Sequence, residues 1–280
     1  MSDSLDLNYV VDGPAGGPAV LLGGSLGTSV EMWRPQLAAL TERFRVIRYD
    51  HRGHGGSAVP PGPYRIDDLG RDVVALLDRL ELPRVHVGGL SLGGMVGMWL
   101  AANAPERVDR LMLLCTSALL GPPELWSNRA AAVRAGGMPA IADPVLARWF
   151  TPGFVSRQPD VVDWARGLLT ATSPVGYAGC CAAIQHMDLE PALASITAPT
   201  LVIAGADDPA TPPAMAERIA AAIPGARLEI VPDAAHLANV EQPAIVNRLL
   251  LDFLTGSAGS AGSVGSAGPA GSAGSAVDGA

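Results

Sequence analysis

A single serine sits in a corner walled by glycine. From Arg84 to Val108 the chain reads RVHVGGLSLGGMVGMWLAANAPERV. Its first residues are β-branched and apolar, the pattern of a short buried strand. Past Gly88-Gly89-Leu90-Ser91-Leu92-Gly93-Gly94 the pattern becomes helical. A strand that turns into a helix this abruptly strains the backbone at the turn. Side chains two residues before and after the serine would collide there, so Gly89 and Gly93 complete a G-x-S-x-G pentapeptide. The following helix aims its N-terminal dipole and free N–H groups at the serine, where a developing oxyanion would be stabilised. The corner predicts a nucleophile at Ser91, against the plainer reading of a glycine-rich turn with an incidental serine.

A serine needs a base, and the sequence holds five histidines. His86 falls inside a predicted strand. His51 and His54 belong to the turn-rich YDHRGHGGS, and His186 to a helical region. His236, in VPDAAHLANVEQP, follows the last predicted strand and precedes the last helix. A loop at that place can lower an imidazole onto Ser91, so His236 is the expected base. The imidazole in turn needs a carboxylate to fix its tautomer and stabilise the imidazolium. VIAGADDPATPP offers Asp207 and Asp208. The spacing G-x-x-D-x-x-x-P, matched by Gly205, Asp208 and Pro212, favours Asp208 and leaves Asp207 as a solvated turn residue. An oxyanion hole needs two backbone donors. One is Leu92 N–H. The other is expected from the loop in VLLGGSLGT, at Leu26, with Ser25 as the alternative.

The surrounding pattern predicts an α/β fold. AVLLGG (19–24), FRVIRYD (44–50), RVHVGGL (84–90) and RLMLLCTS (110–117) are short apolar runs ending in Gly, Asp or Ser. EMWRPQLAALTER and IDDLGRDVVALLDRL lie between them, and in the second Leu69, Val73, Leu76, Leu77 and Leu80 recur at helical spacing. Alternation of this kind argues for a mostly parallel, twisted sheet flanked by helices. It resumes at PTLVIAG (199–205), ARLEIVPD (226–233) and a last helix QPAIVNRLLLDFL (242–254). Residues 121–195 break the rhythm with Trp, Pro and helical segments and no convincing strand. They are expected to form a helical cap inserted into a core of residues 1–120 and 196–254. Such a cap would sit over the carboxyl ends of the strands, where sheets of this kind bind ligands. From 255 to 280 the composition is Gly/Ser/Ala, expected to be a disordered tail or flexible linker spanning roughly 28 Å.

Composition narrows the chemistry. All 19 basic residues are Arg, which excludes lysine Schiff bases and a P-loop. A net charge of −8 disfavours nucleic acid and anionic membranes as partners. Cys115, Cys180 and Cys181 make no disulfide framework, because adjacent cysteines bridge only under strain. The N-terminus has neither a basic start nor an apolar core, and no uncharged apolar run reaches the roughly 18 residues of a membrane span. A cytoplasmic protein is expected.

The chain order Ser91, Asp208, His236 resembles that of α/β-hydrolases, and residues 5–255 resemble that family throughout. A narrower resemblance is to 3-oxoadipate enol-lactonases of the β-ketoadipate pathway of aromatic catabolism. It is carried by SLGTSVEMW (25–33), FRVIRYDHRGHGGS (44–57), GLSLGGMVGMWLAANAPERVDRLMLLCTSA (89–118), AGGMPAIADPVLARWFTP (135–152), GYAGCCAAIQHMDL (176–189) and TLVIAGADDPATPP (200–213). In some bacteria this lactonase is fused to a 4-carboxymuconolactone decarboxylase, and the Gly/Ser/Ala stretch resembles such a linker. The resemblance implies a small-molecule lactone substrate and a reaction that needs neither metal nor organic cofactor. It also implies a substrate carboxylate in want of a partner, best met by the planar fork of an arginine. Of the cap arginines, Arg129 and Arg134 are preferred over Arg148, Arg157 and Arg166 for their closeness to Trp126. Trp126, Trp149 and Ser25 are the remaining expected substrate contacts. The competing readings are another serine hydrolase of the same fold (a carboxylesterase, a different lactonase, a C–C bond hydrolase or a cofactor-free perhydrolase) and a non-catalytic ligand-binding module. Fold and triad do not separate these.

Overall fold

The structure, a computed structural model, describes residues 5–256. Beyond Thr255 and Gly256, the Gly/Ser/Ala stretch lies outside the described residues. One seven-stranded sheet organises the chain: β1 (Tyr9–Asp12), β2 (Ala19–Gly23), β3 (Arg45–Tyr49), β4 (Val85–Leu90), β5 (Val108–Leu114), β6 (Thr200–Gly205) and β7 (Arg227–Val231), in the order β1-β3-β2-β4-β5-β6-β7. Strands β2 to β7 are parallel to their neighbours. The edge strand β1 runs antiparallel to β3, pairing Tyr9 with Tyr49 and Asp12 with Val46. Strand β1 is absent from the sequence reading because YVVD is too short to show a period.

The interior strands are covered on both faces. Every residue of β4 and β6 is buried, which is why they read as continuous apolar runs rather than alternating ones. The helices are α1 (Arg34–Leu40), α2 (Ile66–Arg79), α3 (Leu92–Asn103), α4 (Pro123–Gly136), α5 (Ala142–Trp149), α6 (Pro152–Arg157), α7 (Pro159–Ala171), α8 (Pro174–Gln185), α9 (Pro213–Ala222), α10 (Ala238–Glu241) and α11 (Pro243–Thr255). Helix α2 buries Leu69, Val73, Leu76 and Leu77 as its period predicts, while Leu80 is its half-buried C-cap. The predicted helix at 31–43 begins instead as a 3-10 turn, Val30–Trp33, that the Ser29 side chain caps; α1 proper starts beside Pro35, which lacks the N–H a helix interior needs. The last predicted helix, 242–254, is α11, which starts one residue later, after its N-cap Gln242, and runs one residue past the expected boundary, to Thr255; the short α10 precedes it in the histidine loop.

Between β5 and β6 the described chain is entirely helical or irregular, through α4 to α8. Helices α4 and α8 pack on one another, as do α5 and α7. Among the described residues no single helix is long and apolar enough to cross a membrane. Helices α7 and α8 reach that composition only as a pair bent by 90°, and most of α8 is buried in the protein.

Candidate active site

Ser91 is the single residue between β4 and α3, with φ 56° and ψ −113°. This left-handed conformation is one that a side chain rarely adopts, and it persists because the surroundings over-determine it. Ser91 N–H donates to Leu114 O at 2.9 Å, and Ser91 O accepts from Thr116 Oγ1 at 2.7 Å. A Cβ on Gly89 would lie 2.1 Å from Gly93 C, and one on Gly93 would lie 2.1 Å from Gly23 O. The two glycines of the pentapeptide thus let the helix start against both its own strand and the end of β2.

Asp208 and His236 meet at the same end of the sheet. His236 Nδ1 lies 2.8 Å from Asp208 Oδ2, and both side chains are buried. The other donors to the carboxylate are Ala210 N–H (2.8 Å) and Thr211 N–H (3.0 Å) on Oδ1, and Thr211 Oγ1 (2.7 Å) on Oδ2. Burial pushes the Asp208 pKa up, but the His236 imidazole and the Thr211 hydrogen bonds outweigh it and hold the carboxyl below its ordinary range. With the carboxylate charged and facing Nδ1, the imidazole keeps its proton on Nδ1 and presents Nε2 as an acceptor. Asp207 is exposed, and its N–H is spent on Ala234 O. The glycine of G-x-x-D has a spatial reason: a Cβ on Gly205 would lie 2.4 Å from Ala235 O, so only glycine lets the histidine loop cross the end of β6.

The loop after β2 is held from below. Gly24 O accepts from Gly93 N–H and from His51 Nε2, each at 3.0 Å, and Gly27 N–H donates to His54 Nε2 at 3.0 Å. His51 and His54 are therefore supports of this loop; burial lowers both pKa values, that of His51 to about 3, so both stay neutral. Among the described residues Leu26 N–H has no hydrogen-bond acceptor. Leu92 N–H opens α3, where the first amides have no partner inside the helix. His186 is exposed behind α8, and His86 Nδ1 lies 3.2 Å from Asp109 Oδ2 without hydrogen-bond alignment; neither lines the cavity described next.

A cavity of about 400 Å³ joins these parts. Ser91, His236, Ser25 and Leu26 line its floor, and α4, α5 and α8 close over it with Trp126, Arg129, Arg148, Trp149 and Tyr177. Ser25, Trp126, Arg129 and Trp149 thus fall where the sequence reading put them. Arg134 does not: it is exposed on α4, off the lining, and Arg148 of α5 takes a place there instead. Nearness to Trp126 in sequence does not place Arg134 on the lining, because five residues beyond Arg129 is about 140° round the helix from it, whereas α5 folds back over the floor. Arg129 stacks on the Trp126 ring at 4.7 Å and lies against the Tyr177 hydroxyl. All three cysteines are free and buried, and burial pushes Cys181 up to about 12, so it stays a thiol. The sequence reading missed Tyr177, Thr211 and Glu241. Thr211 sits three residues after Asp208, a spacing that lets a hydroxyl return to the carboxylate.

A β-strand, a strained serine and a helix, with Asp and His on later strand ends, define a hydrolase architecture. Residues 18–243 match the family described as alpha/beta hydrolase fold, and the chain belongs to that family. It is 44% identical over 241 residues, 86% of this chain and 90% of its relative, to a protein named 3-oxoadipate enol-lactonase 2 from Acinetobacter baylyi. The crystal structure of the enol-lactonase from Burkholderia xenovorans superimposes with a TM-score of 0.87 at 44% identity, covering 89% of this chain and 96% of that one. A relative from Variovorax paradoxus, 38% identical over 89% of this chain and 96% of its own length, bears the name "Putative carbamate hydrolase RutD".

Proposed function

We propose that the chain hydrolyses the enol-lactone of 3-oxoadipate to 3-oxoadipate through an acyl-enzyme on Ser91. One observation carries the reading: two arginines, Arg129 and Arg148, share a cavity of about 400 Å³ with Ser91 and His236. A substrate that is both an ester and an anion fits such a site, with its carboxylate on a guanidinium and its carbonyl carbon on the serine. The likeness to proteins named enol-lactonases supports the same choice.

Ser91 Oγ attacks the lactone carbonyl carbon while His236 Nε2 takes its proton. The carbonyl electrons move onto oxygen, and the N–H groups of Leu26 and Leu92 stabilise that oxyanion. The tetrahedral intermediate collapses by breaking the ring C–O bond. The leaving group is an enolate, far less basic than an alkoxide, and it stays tethered to the acyl chain. The proton that His236 took from Ser91 passes to the enolate carbon; this returns the imidazole to its neutral form and gives the ketone, which no longer has an oxygen nucleophile able to reclose the ring. His236 then deprotonates water, which attacks the acyl carbon, and Ser91 leaves with the proton from His236. Asp208 keeps the imidazole oriented and stabilises its charged form in both halves.

The test follows loss of the enol-lactone's ultraviolet absorbance with the purified chain beside Ser91→Ala. Turnover that vanishes in the variant supports the reading. If p-nitrophenyl acetate is cleaved through Ser91 while the lactone is untouched, the serine hydrolase stands and the substrate does not. The relative named for carbamate hydrolysis makes a carbamate the next substrate to try in that case.

A further inference from the structure

We propose that Glu241 is a positioning residue that fastens the seat of His236 to the wall of the substrate cavity; the idea rests on His236 acting as base. Glu241, at the end of α10, is buried, and among the described residues no Arg or His pairs with it. Burying a carboxylate without a cation is costly, so its retention needs a reason that a Leu or Gln would not satisfy. Its hydrogen bonds provide one. Oε1 accepts from both Thr151 N–H (2.9 Å) and Thr151 Oγ1 (2.8 Å), and Oε2 accepts from Ala235 N–H. Donors approach both oxygens, and only a carboxylate accepts at both ends.

The two ends belong to different parts of the chain. Ala235 immediately precedes His236. Thr151 lies two residues after Trp149 and three after Arg148, which both line the cavity. The strap has further stitches beside it: His236 N–H donates to Arg148 O at 3.4 Å, and Leu237 N–H to Trp149 O at 3.0 Å. Both of these are main-chain bonds that any sequence could make. Among the described residues Glu241 is the one side chain that hydrogen-bonds to both segments, and it sets how far the histidine loop stands from the end of α5. The base and the arginine-bearing wall therefore move as one frame, and a shift of the wall is passed to the imidazole. Thr151 is also held by its role as N-cap of α6, accepting from Phe154 N–H at 3.3 Å, so the anchor itself is fixed.

The test uses the full chain and a fluorophosphonate, whose attack by Ser91 needs a seated base whatever the natural substrate. Glu241→Gln keeps the volume but turns one end into a donor, which faces a main-chain N–H in either orientation, that of Ala235 or that of Thr151. The labelling rate and kcat on p-nitrophenyl acetate are expected to fall about 10- to 100-fold with KM changed less, the scale of loss for a base displaced by about 1 Å. Thr151→Val, which removes one of three donors, is expected to lower kcat by a smaller factor, and Thr151→Ser to restore it. In Glu241→Gln/Thr151→Val the losses are expected to be less than multiplicative. The downfield proton resonance of His236 Nδ1, identified by its absence in His236→Ala, is expected to shift in Glu241→Gln. Wild-type kcat and an unmoved resonance in Glu241→Gln, with only the melting temperature lowered, would overturn the proposal. If Glu241→Gln does not fold, Thr151→Val decides: unchanged kcat there overturns it too. A wild-type chain that fails to react with the fluorophosphonate refutes the serine reading itself, a separate outcome from an unaffected variant.

Discussion

Replacing Asp208 by Asn keeps the shape of the acid and changes one atom, and the surroundings dictate how the amide must lie. If the NH₂ took the place of Oδ1, it would face the N–H groups of Ala210 and Thr211, which now donate at 2.8 and 3.0 Å. Neither main-chain donor can turn away, and each loss costs about 1–3 kcal/mol. If the NH₂ took the place of Oδ2, it would face the Thr211 hydroxyl and His236 Nδ1, now at 2.7 and 2.8 Å. The hydroxyl rotates and accepts instead. The imidazole resolves its clash by moving its proton to Nε2. The second orientation is therefore the cheaper one, and it turns the base into a donor toward Ser91. Turnover of the enol-lactone or of p-nitrophenyl acetate at neutral pH is expected to fall by about 10⁴-fold, or roughly 5.5 kcal/mol of barrier. The melting temperature should move by only a few degrees, since all four contacts keep a donor facing an acceptor. Steady-state kinetics of Asp208→Asn beside Asp207→Asn provides the assay. An Asp208→Asn enzyme with more than a tenth of wild-type kcat, or a crippled Asp207→Asn, would refute this reasoning.

Other expectations rest on the same site. Ser91→Ala should lose roughly 10⁴–10⁶-fold in kcat, while Ser91→Gly, equally inactive, should melt higher than Ser91→Ala because glycine releases the strain at φ 56°. Arg129→Gln should raise KM for the anionic lactone by about tenfold or more and leave neutral esters nearly unchanged, and Arg134→Gln should alter neither; equal effects on both substrate types would place the carboxylate elsewhere. His51 is neutral when folded, with a pKa pushed by burial from 6.5 to about 3. Its depressed folded value means that stability is fully present above pH 6.5 and drains away as pH falls toward 3, by about 1.4 kcal/mol per pH unit. Chemical denaturation between pH 7 and 4.5 should show at least that slope, since His54 is lowered in the same sense, and His51→Gln should reduce it.

Much of the candidate site was legible because its parts are local. The strand-turn-helix around Ser91 forces Gly89 and Gly93 through contacts that backbone sterics impose anywhere. The loop from β6 to α9 carries its own evidence for Asp208 over Asp207, since the turn returns two N–H groups to a carboxylate at that one position. His236 follows from its place after β7. The arginines were not legible in the same way. Arg129 and Arg134 share a helix with similar neighbours, and only the packing of α4 on α8 sets which of them borders the cavity. Arg148 reaches the lining because α5 closes over the floor, a contact that no spacing in the sequence encodes.

The sequence alone determined the α/β alternation, the corner at Ser91 and the order of its partners, because hydrophobic period and turn sterics act over a few residues. Tertiary structure alone decided that His51 and His54 support the loop carrying Leu26, that YVVD closes the sheet as an antiparallel edge, and that Glu241 ties residue 235 to residue 151. Those depend on bonds between segments tens of residues apart, whose partners are chosen by the packing of the whole core and not by anything in their own neighbourhood.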